Sequence, residues 1–304
     1  MPGDVGAPGS GNEARLARLL FPDLADELDR AYAEGRRAAG GTAPAPGAEA
    51  MLDAAALAAR QGDLGRAAFA GIDGLEAARF TRGFELAGAV AGWRDLRVPE
   101  PEEFWAAGAD HAALARALMA DASLVVVPTV YGLGHDGWVA LFRAAARQPG
   151  SPLSLAAPLI LAPEVTAEFD LLDAVPRGVA AVQAGGVQAG AVRAGGVHAG
   201  GVRADGVSWT LRLVPATPKP PLVGLSHSHG PHPTLPEILM LQLMHVAAGE
   251  PLLDGSSFTW VHGTLSGGRF AARELFDTSE RSVRVNTREV GNQGPHLGAR
   301  PPIG

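Results

Sequence analysis

Cysteine is missing from the 304 residues, and there are only one lysine, two tyrosines and three asparagines. Without cysteine there can be no disulfide scaffold, no cysteine nucleophile and no Cys-ligated zinc or iron–sulfur site. The one lysine, Lys219, lies in Thr217-Pro-Lys-Pro-Pro221 with no glycine-rich loop around it, which excludes a P-loop or Schiff-base lysine. Long apolar runs are also missing: none approaches the roughly 18 residues of a membrane span. Residues 1–10 lack the basic and apolar segments of a signal peptide, so a cytoplasmic protein is expected. Positive charge is in short supply, with 25 Lys and Arg against 32 Asp and Glu, a net charge of −7. That balance argues against a large nucleic-acid footprint. The scarce residue types share AT-rich codons, which suggests a GC-rich bacterial genome.

Alanine and glycine are abundant instead, at 57 and 40 residues. Residues 1–11 are Gly/Pro-rich and read as disordered. From Asn12 to residue 120 the pattern is helical and alanine-rich, interrupted by a Gly/Pro linker at 40–47. Within this region the spacing predicts a helix over 74–93, and Asp110 is placed to cap another over 111–120. The texture changes at residue 121. Leu124-Val-Val-Val127 reads as a buried strand, followed by a glycine-rich loop and a helix over 138–147. Residues 159–162 read as a further strand and 164–172 as a short helix. Trp209, Leu211 and Leu213 alternate with polar residues, as in a half-buried strand. Thr234-Leu-Pro-Glu237 is a capping-box helix start, and the helix to about residue 248 is apolar on nearly all sides, hence buried. Strands follow at 257–264, 269–276 and 282–290, joined by connections short enough for antiparallel hairpins. The fold class expected is α+β: a helical region over 12–120, then an α+β domain over 121–304 with a mainly antiparallel sheet and one buried helix.

Valine recurs every five residues from Val182 to Val207, in units such as Val-Gln-Ala-Gly-Gly. In period the stretch resembles a pentapeptide β-solenoid, but it is about one coil long, and solenoids need several stacked units. A low-complexity loop at about 179–206 is the reading adopted.

Three of nine histidines fall in His227-Ser-His229-Gly-Pro-His232. Neutral imidazoles at this spacing can chelate Zn²⁺ or Fe²⁺. The six residues resemble the His-x-His-x-Asp-His motif of the metallo-β-lactamase fold, with Pro231 where that motif has aspartate. The resemblance implies a metal-dependent hydrolase with His227, His229 and His232 as ligands. The residues alone allow two other readings: a turn whose imidazoles bond to backbone, and an anion site at the helix start after Thr234. Gly132-Leu-Gly134-His-Asp-Gly137 matches G-x-G-x-x-G between a strand and a helix, but it reads as a plain turn: Trp138 is bulky and Asp136 would oppose a phosphate. His135-Asp136 is similar to the HD-type phosphohydrolase doublet, without that family's further ligands. The C-terminal stretch offers Asn292, Gln293, His296 and Arg300 for recognition. Arg269, Arg273, Arg281, Arg284, Asn286, Arg288 and Arg300, interspersed with acids, read as a solvated face. The function expected is a non-enzymatic binding or assembly module. Its partner would be a protein or a small molecule, with neither nucleic acid nor membrane involved. The alternative is a metal-dependent enzyme or sensor built on the three histidines.

Overall fold

Two sheets share one long apolar core in the computed structural model, which describes residues 74–183 and 206–304. These residues all belong to one unit, Ala59–Gly304. The expected disordered start, the helices and linker before residue 74, and the body of the pentapeptide repeat lie outside the described residues.

Three helices come first: α1 (Gly74–Gly92), α2 (Pro101–Ala106) and α3 (His111–Ala120). The Asp110 carboxylate accepts from the Ala113 amide at 2.9 Å, the cap expected from the sequence. Strand β1 (Leu124–Tyr131) then pairs antiparallel with β4 (Ser208–Pro215), which pairs with β3 (Ala181–Gln183). Helix α1 packs closely on β1. A Cβ at Gly83 would lie 2.5 Å from the Val126 carbonyl oxygen, so glycine permits the approach. The Arg79 guanidinium locks the same corner by donating to the carbonyls of Leu118, Asp121 and Leu124. In β4 the half-buried pattern expected from alternation does not hold: Thr210 is as buried as Trp209 and Leu211, because both faces of this sheet are covered.

Helix α4 (Gly134–Ala146) leads to β2 (Leu159–Leu161) and to two short helices, α5 (Pro163–Ala167) and α6 (Phe169–Leu172). The second sheet has six strands in the order β2-β8-β7-β6-β9-β5. They are β5 (Leu222–Val223), β6 (Phe258–Trp260), β7 (Phe270–Asp277), β8 (Ser282–Glu289) and β9 (Leu297–Ala299), with β2 at the far edge. The sheet is mixed: β2 runs parallel to β8 and β9 parallel to β6, while the other pairs are antiparallel. The architecture is therefore α+β. Helix α7 (Leu235–Ala248) is the buried helix. Its start is the reciprocal Thr234/Glu237 capping box, and its residues from Leu235 to Met244 are all buried. It contacts β1 on one side, and Gln242 donates to Glu274 of β7 on the other, at 2.8 Å. Among the described residues no helix is long and apolar enough to cross a membrane.

Candidate functional site

Alternation along a strand sends successive side chains to opposite faces, and in the six-stranded sheet it separates two kinds of chemistry. The inner face, toward α7, carries Thr259, Glu274 and Arg300. Arg300 is fully buried and meets Asp254 at 2.7 Å, donating also to Thr259 Oγ1 and the Pro215 carbonyl. Asp254 has a left-handed φ of 59°, which aspartate tolerates better than most residues, and its carboxylate also accepts from Ser257 and Thr259. Burial, reinforced by the Asp254 carboxylate, pushes the Glu274 carboxyl well above its ordinary range. This network is sealed from solvent and ties strand to strand. Arg300, a recognition candidate in the sequence, is thus a structural residue.

The outer face carries Phe258, Trp260, Arg273 and Leu297, with Arg284, Asn286 and Arg288 beside them on β8. Trp260, Ala271 and Leu297 form a second small apolar cluster, rimmed by half-buried Phe258 and Val290. The Arg273 guanidinium carbon lies over the Phe258 ring, 4.0 Å from its centroid, a cation–π contact. Its Nε is out of contact with water and has no acceptor. Burial, followed by the nearby charge of Arg288, lowers the Arg273 pKa. The strand register sets Arg288 opposite Ala271 and Asn286 opposite Arg273, so the two arginines are diagonal neighbours, about 7 Å apart at Cβ. Among the described residues neither meets a carboxylate. Two other arginines here are paired, Arg284 with Asp277 and Glu280, and Arg269 with Glu289. The solvated face expected from composition is therefore two faces. Alternation in 269–276 carried that signal, since Arg273 and Glu274 are adjacent in sequence and must point apart.

The histidine segment lies over this outer face. The Leu225 carbonyl accepts from Trp260 Nε1 at 2.9 Å, and the His227 amide donates to Val290 at 3.2 Å. The His227 ring meets Trp260 edge-on and stacks on His232 at 4.8 Å between centroids. His227 Nε2 donates to the Val261 carbonyl, and His232 Nε2 donates to the His227 carbonyl. Those bonds fix neutral tautomers, and burial lowers both pKa values, that of His232 to about 4. His229 is exposed and bonds through Nδ1 to Ser226, which also meets Ser228. No carboxylate orients His229, so the trio lacks the third member of a nucleophilic relay. The structure thus brings His227 and His232 together and leaves His229 apart. Among the described residues no group of three or more His, Cys, Asp or Glu is placed to hold a metal ion.

The remaining sequence candidates lie nearby or elsewhere. Gln293 and His296 are exposed and Asn292 is half-buried, on the turn that leads from β8 into β9. At the Gly132–Gly137 loop, the start of α4 is already occupied by a carboxylate of the protein. Asp173 Oδ2 accepts from the Gly134 amide at 2.7 Å, where the dinucleotide reading would put a phosphate. Burial raises the Asp173 pKa to about 6, against the opposing pull of the Gly134 and Gly132 amides.

No family model, curated protein or solved structure matches this chain.

Proposed function

We propose that this chain is a non-enzymatic binding module that engages a protein partner through the outer face of its six-stranded sheet. One observation carries the reading: the Arg273 guanidinium sits over the Phe258 ring, beside Arg288, and among the described residues neither arginine has an acid to pair with. A half-buried guanidinium oriented by an aromatic ring and surrounded by a small apolar cluster has the composition of an interface hot spot. The 225–232 segment contributes as a cover over one end of that face, anchored by His227 Nε2 and His232 Nε2 on backbone carbonyls. The alternative, a metal-dependent enzyme or sensor at His227, His229 and His232, has less support, because among the described residues no three such side chains converge on one point.

Photo-crosslinking in the cells that make the protein tests this. A benzoylphenylalanine placed at Val290 or at Gln293 is expected to trap the same partner, and one placed at Leu155, 72% exposed, is expected not to. No adduct from either outer-face position, or an equal adduct from Leu155, would overturn the proposal.

A further inference from the structure

We infer that Arg273 and Arg288 form a receptor for carboxylate groups, so that the partner presents an acidic peptide segment to this face. The inference rests on the reading of the outer face as the contact surface and adds the chemistry of what binds there.

Two like charges on adjacent strands repel, and a buried donor without an acceptor carries a desolvation cost. Here both occur at one place. Among the described residues, Arg273 is the only arginine with a buried nitrogen that lacks a partner. An anion between the two guanidinium groups would relieve the repulsion and give their terminal nitrogens acceptors. Guanidinium is planar and presents paired N–H donors that match a carboxylate bidentately. The contact with the Phe258 ring holds the Arg273 guanidinium in place before binding. Asn286, opposite Arg273 in the register, adds an amide donor on the same face.

A carboxylate is favoured over a nucleic-acid phosphate for two reasons. Nucleic acid needs a run of cations along its backbone, and here only two arginines are unpaired, between the neutralised pairs Arg269–Glu289 and Arg284–Asp277. The chain as a whole carries a charge of −7, which repels a long polyanion more strongly than a short acidic segment.

The test titrates the full chain with a fluorescein-labelled, N-acetylated hexaglutamate peptide at low salt and follows anisotropy. Arg288→Ala is expected to weaken binding about tenfold, the loss of one charge-assisted contact. Arg273→Lys, which keeps the charge and loses the fork, is expected to weaken it similarly. Arg94→Ala removes the same charge from an exposed site elsewhere and is expected to change affinity by less than about twofold. Arg288 is exposed, so its variant tests the inference even where Arg273→Lys impairs folding. Equal losses in Arg288→Ala and Arg94→Ala would overturn it, as would peptide binding weaker than about 1 mM. Tighter binding of a thymidine oligonucleotide than of the peptide would overturn it in favour of nucleic acid. If the peptide fails while crosslinking from Val290 and Gln293 still traps one protein, the carboxylate chemistry falls and the contact surface stands. If both fail, so do both readings.

Discussion

Individual ionisable residues in this protein sit far from their ordinary titration ranges, and they do so in opposite senses. Asp173 is buried at the start of α4 with its carboxyl raised to about 6. The folded chain therefore holds that proton more tightly than the unfolded chain. Its contribution to stability is full below the ordinary aspartate range and is lost as pH rises through 6. His232 is the reverse. Burial lowers its pKa to about 4, so its contribution is full above the ordinary histidine range and is lost as pH falls through 4. Asp173→Asn keeps an acceptor for the Gly134 amide and removes the charge. Relative to the parent, it is expected to gain stability between pH 4 and 7 by on the order of 2–3 kcal/mol. His232→Gln should gain relative stability in the other direction, as pH falls from 6.5 to 4. Urea unfolding at a series of pH values measures both. A difference from the parent that stays flat with pH would show that these groups are not buried as described. Neither shift was legible in the sequence. Asp173 follows a helical run with nothing to mark it, and its partner amide is 39 residues away. His232 was visible as a histidine but its partners were not, since the decisive acceptor is a backbone carbonyl.

At the scale of elements, what was legible was local. The caps at Asp110 and Thr234 and the β7–β8 hairpin depend on residues within a few positions of one another, and all are present. Strand β9 was missed for the complementary reason. It is three residues long, has glycine at its centre, and gains its order from partners far away in the chain: β6 on one side and β5 on the other. Gly298 makes the fit achievable. A Cβ there would lie 2.3 Å from the Leu222 carbonyl oxygen and 2.5 Å from Pro220 Cβ. Both are held by the sheet and by proline, so neither can yield cheaply. Gly298→Ala is expected to destabilise by roughly 1–3 kcal/mol, the usual cost of overpacking, and to loosen β5. Gly294→Ala, whose new Cβ would meet Leu297 at an ordinary 3.7 Å, provides the comparison. In thermal melts the first variant should fall by several degrees and the second stay near the parent. Equal melting temperatures would mean that β9 is not packed as tightly as the register requires. Arg300 follows directly from β9. Because its ion pair with Asp254 is wholly buried, displacing β9 also threatens a contact whose one-sided removal costs about 3–5 kcal/mol.

Across the described unit, the two sheets are joined in ways that composition conceals. The chain end bridges to β4 through paired Leu213 and Ile303 backbone bonds, while Arg300 donates to the Pro215 carbonyl. Helix α7 reaches both sheets, and one apolar core runs through all of these elements. Of the valine-rich repeat, the end residues Val182 and Val207 pack on that core. Its two ends are already side by side, because β3 pairs with β4 and Gln183 Nε2 donates to Ser208 Oγ at 2.9 Å. Val207 packs against the core and belongs with the strand. The hairpin is thus closed at its base by the two ends of the repeat and the strand that follows it. Replacing residues 185–206 with Asn-Gly retains Ala184 and Val207 and supplies a turn suited to the twist of the strands. A several-fold shorter loop also reduces the entropy lost on closure, by ~1–2 kcal/mol. The replacement is therefore expected to leave the melting temperature unchanged or slightly raised, with cooperative unfolding preserved. A fall of more than about 5 °C, at the roughly 2–4 °C per kcal/mol usual for a unit of this size, would show that the replaced residues pack on the core. If the temperature holds while crosslinking from Val290 and Gln293 persists, the outer-face site is independent of the repeat. If the fold holds and the crosslinks vanish, the repeat takes part in binding.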